Sequence, residues 1–139
     1  MAAKCSILFI NADGIADTQA SALRSLGFDV VETNDVPARD VLCRHHAVVV
    51  RVPDGSRLPA VATSLRAAPL FGRRVLISIV PPTVTLRERR EAVDSGFDLV
   101  LSSPCTARDL ATAILATLRK YPEHRCVLRN RPNRRREVA

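Results

Sequence analysis

The stretch His46-Ala47-Val48-Val49-Val50-Arg51-Val52, followed by Pro53-Asp54-Gly55, decides the fold. Ala47-Val48-Val49-Val50 is an unbroken apolar run with no polar alternation, the pattern of a strand covered on both faces, as in a parallel sheet. Pro53-Asp54-Gly55 stops it with turn residues. In a parallel α/β sheet the loops at the carboxyl ends of the strands carry function. The run therefore predicts a third strand over His46–Val52, with the permanently charged Arg51 at its functional end.

Outward from this strand, similar short runs recur at Cys5–Asn11, Phe28–Thr33, Arg74–Val80 with the core Val75-Leu76-Ile77, and Phe97–Ser102. Between them lie stretches with helical spacing. Gly14–Leu26 carries Ile15, Ala16, Ala20, Leu23 and Leu26 near one stripe, and Gly27 stops it. Val36–Arg44 has Asp35 as a cap and Pro37 in its first turn. Leu58–Ala68 ends before Pro69 and Gly72. The fourth predicted helix opens with a capping box, Thr85 with Glu88, and ends at Gly96. The fifth repeats the box with Thr106 and Asp109, and Leu110, Ile114 and Leu118 form its buried stripe. Five β-α units over residues 4–120 predict an α/β, flavodoxin-like, doubly wound five-stranded parallel sheet, with strand order 2-1-3-4-5 and helices on both faces.

The chain has 139 residues, 47% hydrophobic and 25% charged, with a net charge of +7. That is the size and composition of one folded domain. The charge is uneven. Residues 119–139 hold eight basic side chains against Glu123 and Glu137, a net of +6, which leaves +1 for everything before them. Residues 1–121 are expected to form the domain. Residues 122–139, with Arg129, Arg131, Arg134, Arg135 and Arg136, are expected to form a basic tail that is flexible when free.

No run approaches the roughly 20 apolar residues that span a bilayer, so no membrane association is expected. Met1-Ala2-Ala3-Lys4 lacks the apolar stretch of a secretory signal, which makes the cytoplasm the expected compartment. Cys5, Cys43, Cys105 and Cys126 are widely spaced without a C-x-x-C pair, so free thiols are expected rather than a disulfide framework or zinc ribbon. Cys43, His45 and His46 suggest no metal site, because adjacent side chains of a strand point to opposite faces. The five glycines, at 14, 27, 55, 72 and 96, are too far apart for a dinucleotide loop or P-loop, and no G-x-S-x-G elbow occurs. Neither catalysis nor a cofactor is expected.

In this order and spacing, Ile7-Leu8-Phe9-Ile10-Asn11-Ala12-Asp13, Leu26-Gly27-Phe28-Asp29-Val30, Ala47-Val48-Val49-Val50-Arg51, Ala92-Val93-Asp94-Ser95-Gly96-Phe97-Asp98 and Ser102-Ser103-Pro104 resemble a response-regulator receiver domain of two-component signalling. The resemblance implies phosphotransfer to an aspartate ending strand three, with magnesium held by two acidic residues after strand one. It also implies a hydroxyl after strand four, a lysine after strand five and an aromatic switch residue on strand five. The positions that match are occupied otherwise. The acidic pair falls on Asn11 and Ala12, leaving Asp13 one position late. The acceptor falls on Arg51, the hydroxyl on Ile79 with Ser78 one step away, the lysine on Ser103 and the aromatic on Val100.

Magnesium needs hard anionic oxygens, and an arginine is a donor only, so this pocket is expected to lose both metal and phosphotransfer. The loop after strand three is about two residues shorter than in the family, yet no Asp or Glu lies between Asp40 and Asp54 to restore an acceptor. Asp54, in the loop, is the remaining carboxylate.

Arg51 invites three readings: an anion receptor, a fixed positive charge imitating the metal-bound state, or an internal ion pair with Asp13 or Asp54. The ion pair is the cheapest arrangement for a partly buried charge. The run Arg87-Glu88-Arg89-Arg90-Glu91 fits a solvated helix face better than an acidic partner's dock. The tail fits phosphate binding by counterion release or simple solubility equally well, since no stacking aromatic follows Tyr121. The sequence thus points to a phosphorylation-independent signalling module that contacts a protein partner or forms a homodimer. Its expected face is the fourth helix, fifth strand and fifth helix, with Arg87, Arg90, Asp94, Val100 and Arg108. A small nucleic-acid-associated regulator using the tail is the alternative, and a phosphoacceptor response regulator using Asp54 or Asp13 is the third reading.

Overall fold

In the computed structural model the described residues are 5–11, 19–34, 45–52, 58–66 and 74–120. They form β1 (Ser6–Asn11), α1 (Gln19–Ser25), β2 (Asp29–Thr33), β3 (Ala47–Arg51), α2 (Leu58–Arg66), β4 (Val75–Val80), α3 (Leu86–Ser95), β5 (Leu99–Ser102) and α4 (Ala107–Leu118). The expected helix over Val36–Arg44 lies outside the described residues, so α3 and α4 are the fourth and fifth helices expected from the sequence.

The five strands pair in parallel in the order β2-β1-β3-β4-β5, the expected topology. Two apolar layers sandwich the sheet, because alternate side chains of each strand leave by opposite faces. On one face Ile7, Phe9, Ala47, Val49, Val75 and Ile77 meet Ala20 and Leu23 of α1 and Leu110, Ile114 and Leu118 of α4. On the other, Leu8, Ile10, Val48, Val50, Leu76 and Val80 meet Leu58, Ala62 and Leu65 of α2 and Ala92 of α3. That double coverage explains why strands one, three and four read as continuous apolar runs.

Helix starts and stops follow the sequence signals. Both capping boxes form: Thr85 Oγ1 accepts from the Glu88 amide at 3.1 Å, and Thr106 Oγ1 from the Asp109 amide at 3.0 Å. Gly27 and Gly96 close their helices at φ +107° and +135°, a region open to glycine at little cost. A Cβ at Gly96 would lie 2.8 Å from Cγ of Arg66.

Three local expectations are corrected. β5 begins at Leu99 rather than Phe97, because Asp98 turns its carboxylate back to accept the Leu76 amide at 2.9 Å. β3 begins at Ala47, and His45 and His46, lying outside the strand, do not diverge. His46 Nδ1 accepts the Ser6 amide at 3.0 Å, and His45 Nδ1 pairs with Ser6 Oγ at 2.7 Å. In the charged run of α3, Arg87 is solvated and pairs with Glu91 at 3.2 Å. Arg89, however, turns inward to Ser102 Oγ and to the Val84 carbonyl. No helix among the described residues is long and apolar enough to cross a membrane.

Candidate functional site

The strand register decides which of the expected pocket residues meet. Asn11 pairs with Arg51, Arg51 with Ile79, and Ile79 with Leu101, so the four form one row across β1, β3, β4 and β5 near their carboxyl ends. Laterally paired residues of a parallel sheet share a face, and Ile79 and Leu101 belong to the layer under α1 and α4. The row is therefore Asn11, Arg51, Ile79, Leu101: a buried amide, a half-buried cation and two apolar side chains.

Arg51 reaches from this row to α1, where its Nη1 donates to Oε1 of Gln19 at 3.5 Å. Gln19 in turn donates from Nε2 to the Cys105 carbonyl at 2.6 Å and lies 3.4 Å from the Cys105 sulfur. Cys105 is a half-buried free thiol between the cis Ser103–Pro104 bond and the first turn of α4. Ser103 donates its amide to the Val80 carbonyl at 2.7 Å, which fixes the end of β5 against β4.

Ser78, one step from the expected hydroxyl position, does not join this pocket. It is in register with Val50 and Val100 on the opposite face, fully buried, and its hydroxyl has no hydrogen-bond partner. The register puts Ile79, not a hydroxyl, beside Arg51. Ala12, Asp13, Asp54 and the arginines 129, 131, 134, 135 and 136 lie outside the described residues. The expected Arg51–Asp13 contact falls with them.

The described donors do not fit a magnesium ion. Where a hard cation needs several anionic oxygens, the row offers one neutral amide, and the neighbouring position on β3 carries a guanidinium. That side chain is a hydrogen-bond donor only, with no lone pair to accept a phosphoryl group.

The expected contact face is more exposed. Arg87, Arg90, Asp94 and Arg108 are exposed, whereas Val100 is half-buried against the layer under α2 and α3. Between the charges of α3, Leu86 is 67% and Val93 is 47% exposed. Gln19, Arg89 and Cys105 were not singled out as site residues by the sequence. Gln19 stands off the apolar stripe of its helix, and only the fold brings it to Cys105, 86 positions along the chain.

No family model and no curated protein sequence matches the chain. Solved structures do. An orphan response regulator of H. pylori superposes with a TM-score of 0.67 at 16% identity, over 85% of this chain and 99% of its own. An atypical orphan response regulator, described as having a phosphorylation-independent regulatory mechanism, gives 0.66 at 17%, over 84% and 97%. The receiver domain of the sensor histidine kinase PA1611 from Pseudomonas aeruginosa, solved with magnesium in its active-site cleft, gives 0.62 at 20%, over 84% and 98%. The chain thus has the fold of response-regulator receiver domains, with an arginine in the row where the sequence resemblance puts their acceptor aspartate.

Proposed function

We propose that the chain is a receiver-fold signalling module that works without phosphorylation, through contact with a protein partner or a second copy. The observation that carries this reading is the row Asn11–Arg51–Ile79, which sets a neutral amide, a cation and an apolar side chain where the resemblance implies an anionic, metal-holding pocket. A cation built into the chain does not come and go as a phosphoryl group does, so the domain stays in one state. Asp13 and Asp54 are the carboxylates proposed to neutralise Arg51 from the adjoining loops. The precedent of a phosphorylation-independent response regulator with the same fold supports this reading.

The contact face in this reading is α3, β5 and α4. Leu86 and Val93 provide exposed apolar area on α3, framed by Arg87, Arg90, Asp94 and Arg108, the mixed composition that interfaces use. Residues 1–121 form the working domain and 122–139 a basic extension. The alternative, a nucleic-acid ligand on that extension, draws on its six arginines and requires affinity that falls steeply with salt. The test of the main reading is incubation of the full chain with acetyl phosphate and magnesium, followed by intact-mass measurement. An unchanged mass is expected. A stoichiometric, base-labile phosphoryl adduct on Asp54 or Asp13 would overturn it.

A further inference from the structure

The geometry points to Gln19 as a positioning residue that couples the strand-three cation to the start of α4, so that displacing Arg51 loosens the β5–α4 connection. The link deepens the reading above by naming how the pocket is tied to the contact face, and it rests on that reading for its biological use.

The argument begins with donor and acceptor chemistry. A guanidinium is a donor only, and a backbone carbonyl is an acceptor only. A side chain that bridges the two must accept at one atom and donate at another from one rigid plane, which among residues of this length only glutamine does. The orientation of the Gln19 amide is thereby fixed: Oε1 faces Arg51 at 3.5 Å, and Nε2 faces the Cys105 carbonyl at 2.6 Å. Glutamate keeps only the first arm and lysine only the second.

The placement gives the bridge leverage. α1 and α4 pack side by side in one apolar layer through Ala20, Leu23, Leu110 and Ile114, and Gln19 stands at the end of that contact nearest the pocket. Cys105 immediately precedes Thr106, whose capping box opens α4. A pull on the Cys105 carbonyl therefore acts on the first turn of one helix of the contact face.

The test uses Cys105 itself as reporter. The full chain is alkylated with iodoacetamide under native conditions without metal or phosphodonor, and the rate at Cys105 is read by peptide mass spectrometry, which separates it from Cys5, Cys43 and Cys126. Losing a hydrogen bond of ordinary net strength should open the loop enough to raise the Cys105 rate roughly three- to tenfold. That rise is expected in both Gln19→Glu and Gln19→Leu, while circular dichroism confirms that each remains folded. Arg51→Met, which touches neither Gln19's backbone nor Cys105, should also raise the rate, and Arg51→Met with Gln19→Leu should match Gln19→Leu alone.

A wild-type rate in Arg51→Met would overturn the coupling and leave Gln19 a local fastener. Additive effects in the double variant would overturn it as well. If Gln19→Leu fails to fold, Gln19→Glu and Arg51→Met still decide. Because no phosphodonor is present, failure here is distinct from failure of the phosphorylation-independent reading, which the acetyl phosphate experiment tests separately.

Discussion

Arg66 and Arg51 stand at opposite ends of the same sheet, and their partners differ in kind. At the amino end, Arg66 donates to the Gly96 carbonyl at 2.9 Å, the Arg74 carbonyl at 2.9 Å and the Asp98 carboxylate at 3.1 Å. The same carboxylate oxygen takes the Leu76 amide. One guanidinium thus ties α2 to the end of α3 and the beginnings of β4 and β5, with its charge neutralised in place. At the carboxyl end, Arg51 has the neutral amide of Gln19 among its partners, in a row that holds no carboxylate. An arginine embedded among carbonyls and a counter-ion is a fastener. An arginine at the carboxyl end of a central strand, held by a neutral amide, is placed where the loops of a parallel sheet carry function.

The sharpest way to break this contrast is at the amino end. Asp98→Ala strands the Arg66 charge and leaves the Leu76 amide without its acceptor. A loss of about 3 kcal/mol is expected from removing one member of a largely buried pair, which urea unfolding would register as a shifted midpoint at unchanged slope. Asp98→Asn keeps an acceptor for Leu76 and should lose about half as much. Equal stability of Asp98→Ala and wild type would remove the distinction between the two arginines.

Next in size is Gly96→Ala. The positive φ costs a residue with a side chain about 1–2 kcal/mol, and the new methyl would press on Cγ of Arg66, which its three acceptors hold in place. A loss of about 2 kcal/mol is expected by the same unfolding measurement. Thr106→Ala should cost about 1 kcal/mol through the lost α4 cap, with Thr85→Ala similar for α3.

The smallest effect is at the amino end, where the Ser6 amide donates to Nδ1 of His46 at 3.0 Å. His46→Phe removes that acceptor and should cost about 1 kcal/mol by the same unfolding measurement. A midpoint equal to that of wild type would show that this contact does not govern the amino end.

The fold was legible because its signals are local and repeated. Val48-Val49-Val50 and Leu76-Ile77 announce strands buried on both faces, and the Thr85/Glu88 and Thr106/Asp109 boxes place two helix starts to the residue. What the sequence hid depends on contacts between distant segments. Asp98 looks like a strand residue until its carboxylate meets Leu76, and His45 and His46 look divergent until both meet Ser6, 39 and 40 positions away. At the pocket, the period of two put Ile79 beside Arg51 and sent Ser78 to the other face, a choice of register that sequence alone left open by one residue. Gln19 was invisible for a different reason: its meaning lies in joining a donor-only group to an acceptor-only one, and neither neighbour is near it in sequence.

The central proposal, that this receiver fold works without metal and phosphoryl group, is tested most directly by thermal unfolding of the full chain with and without magnesium and beryllofluoride. A ligand that binds the folded state at a hundred times its dissociation constant stabilises it by about 2.7 kcal/mol. The account predicts superimposable transitions with and without the ligands. A saturable rise in the midpoint that requires both magnesium and beryllofluoride would contradict it.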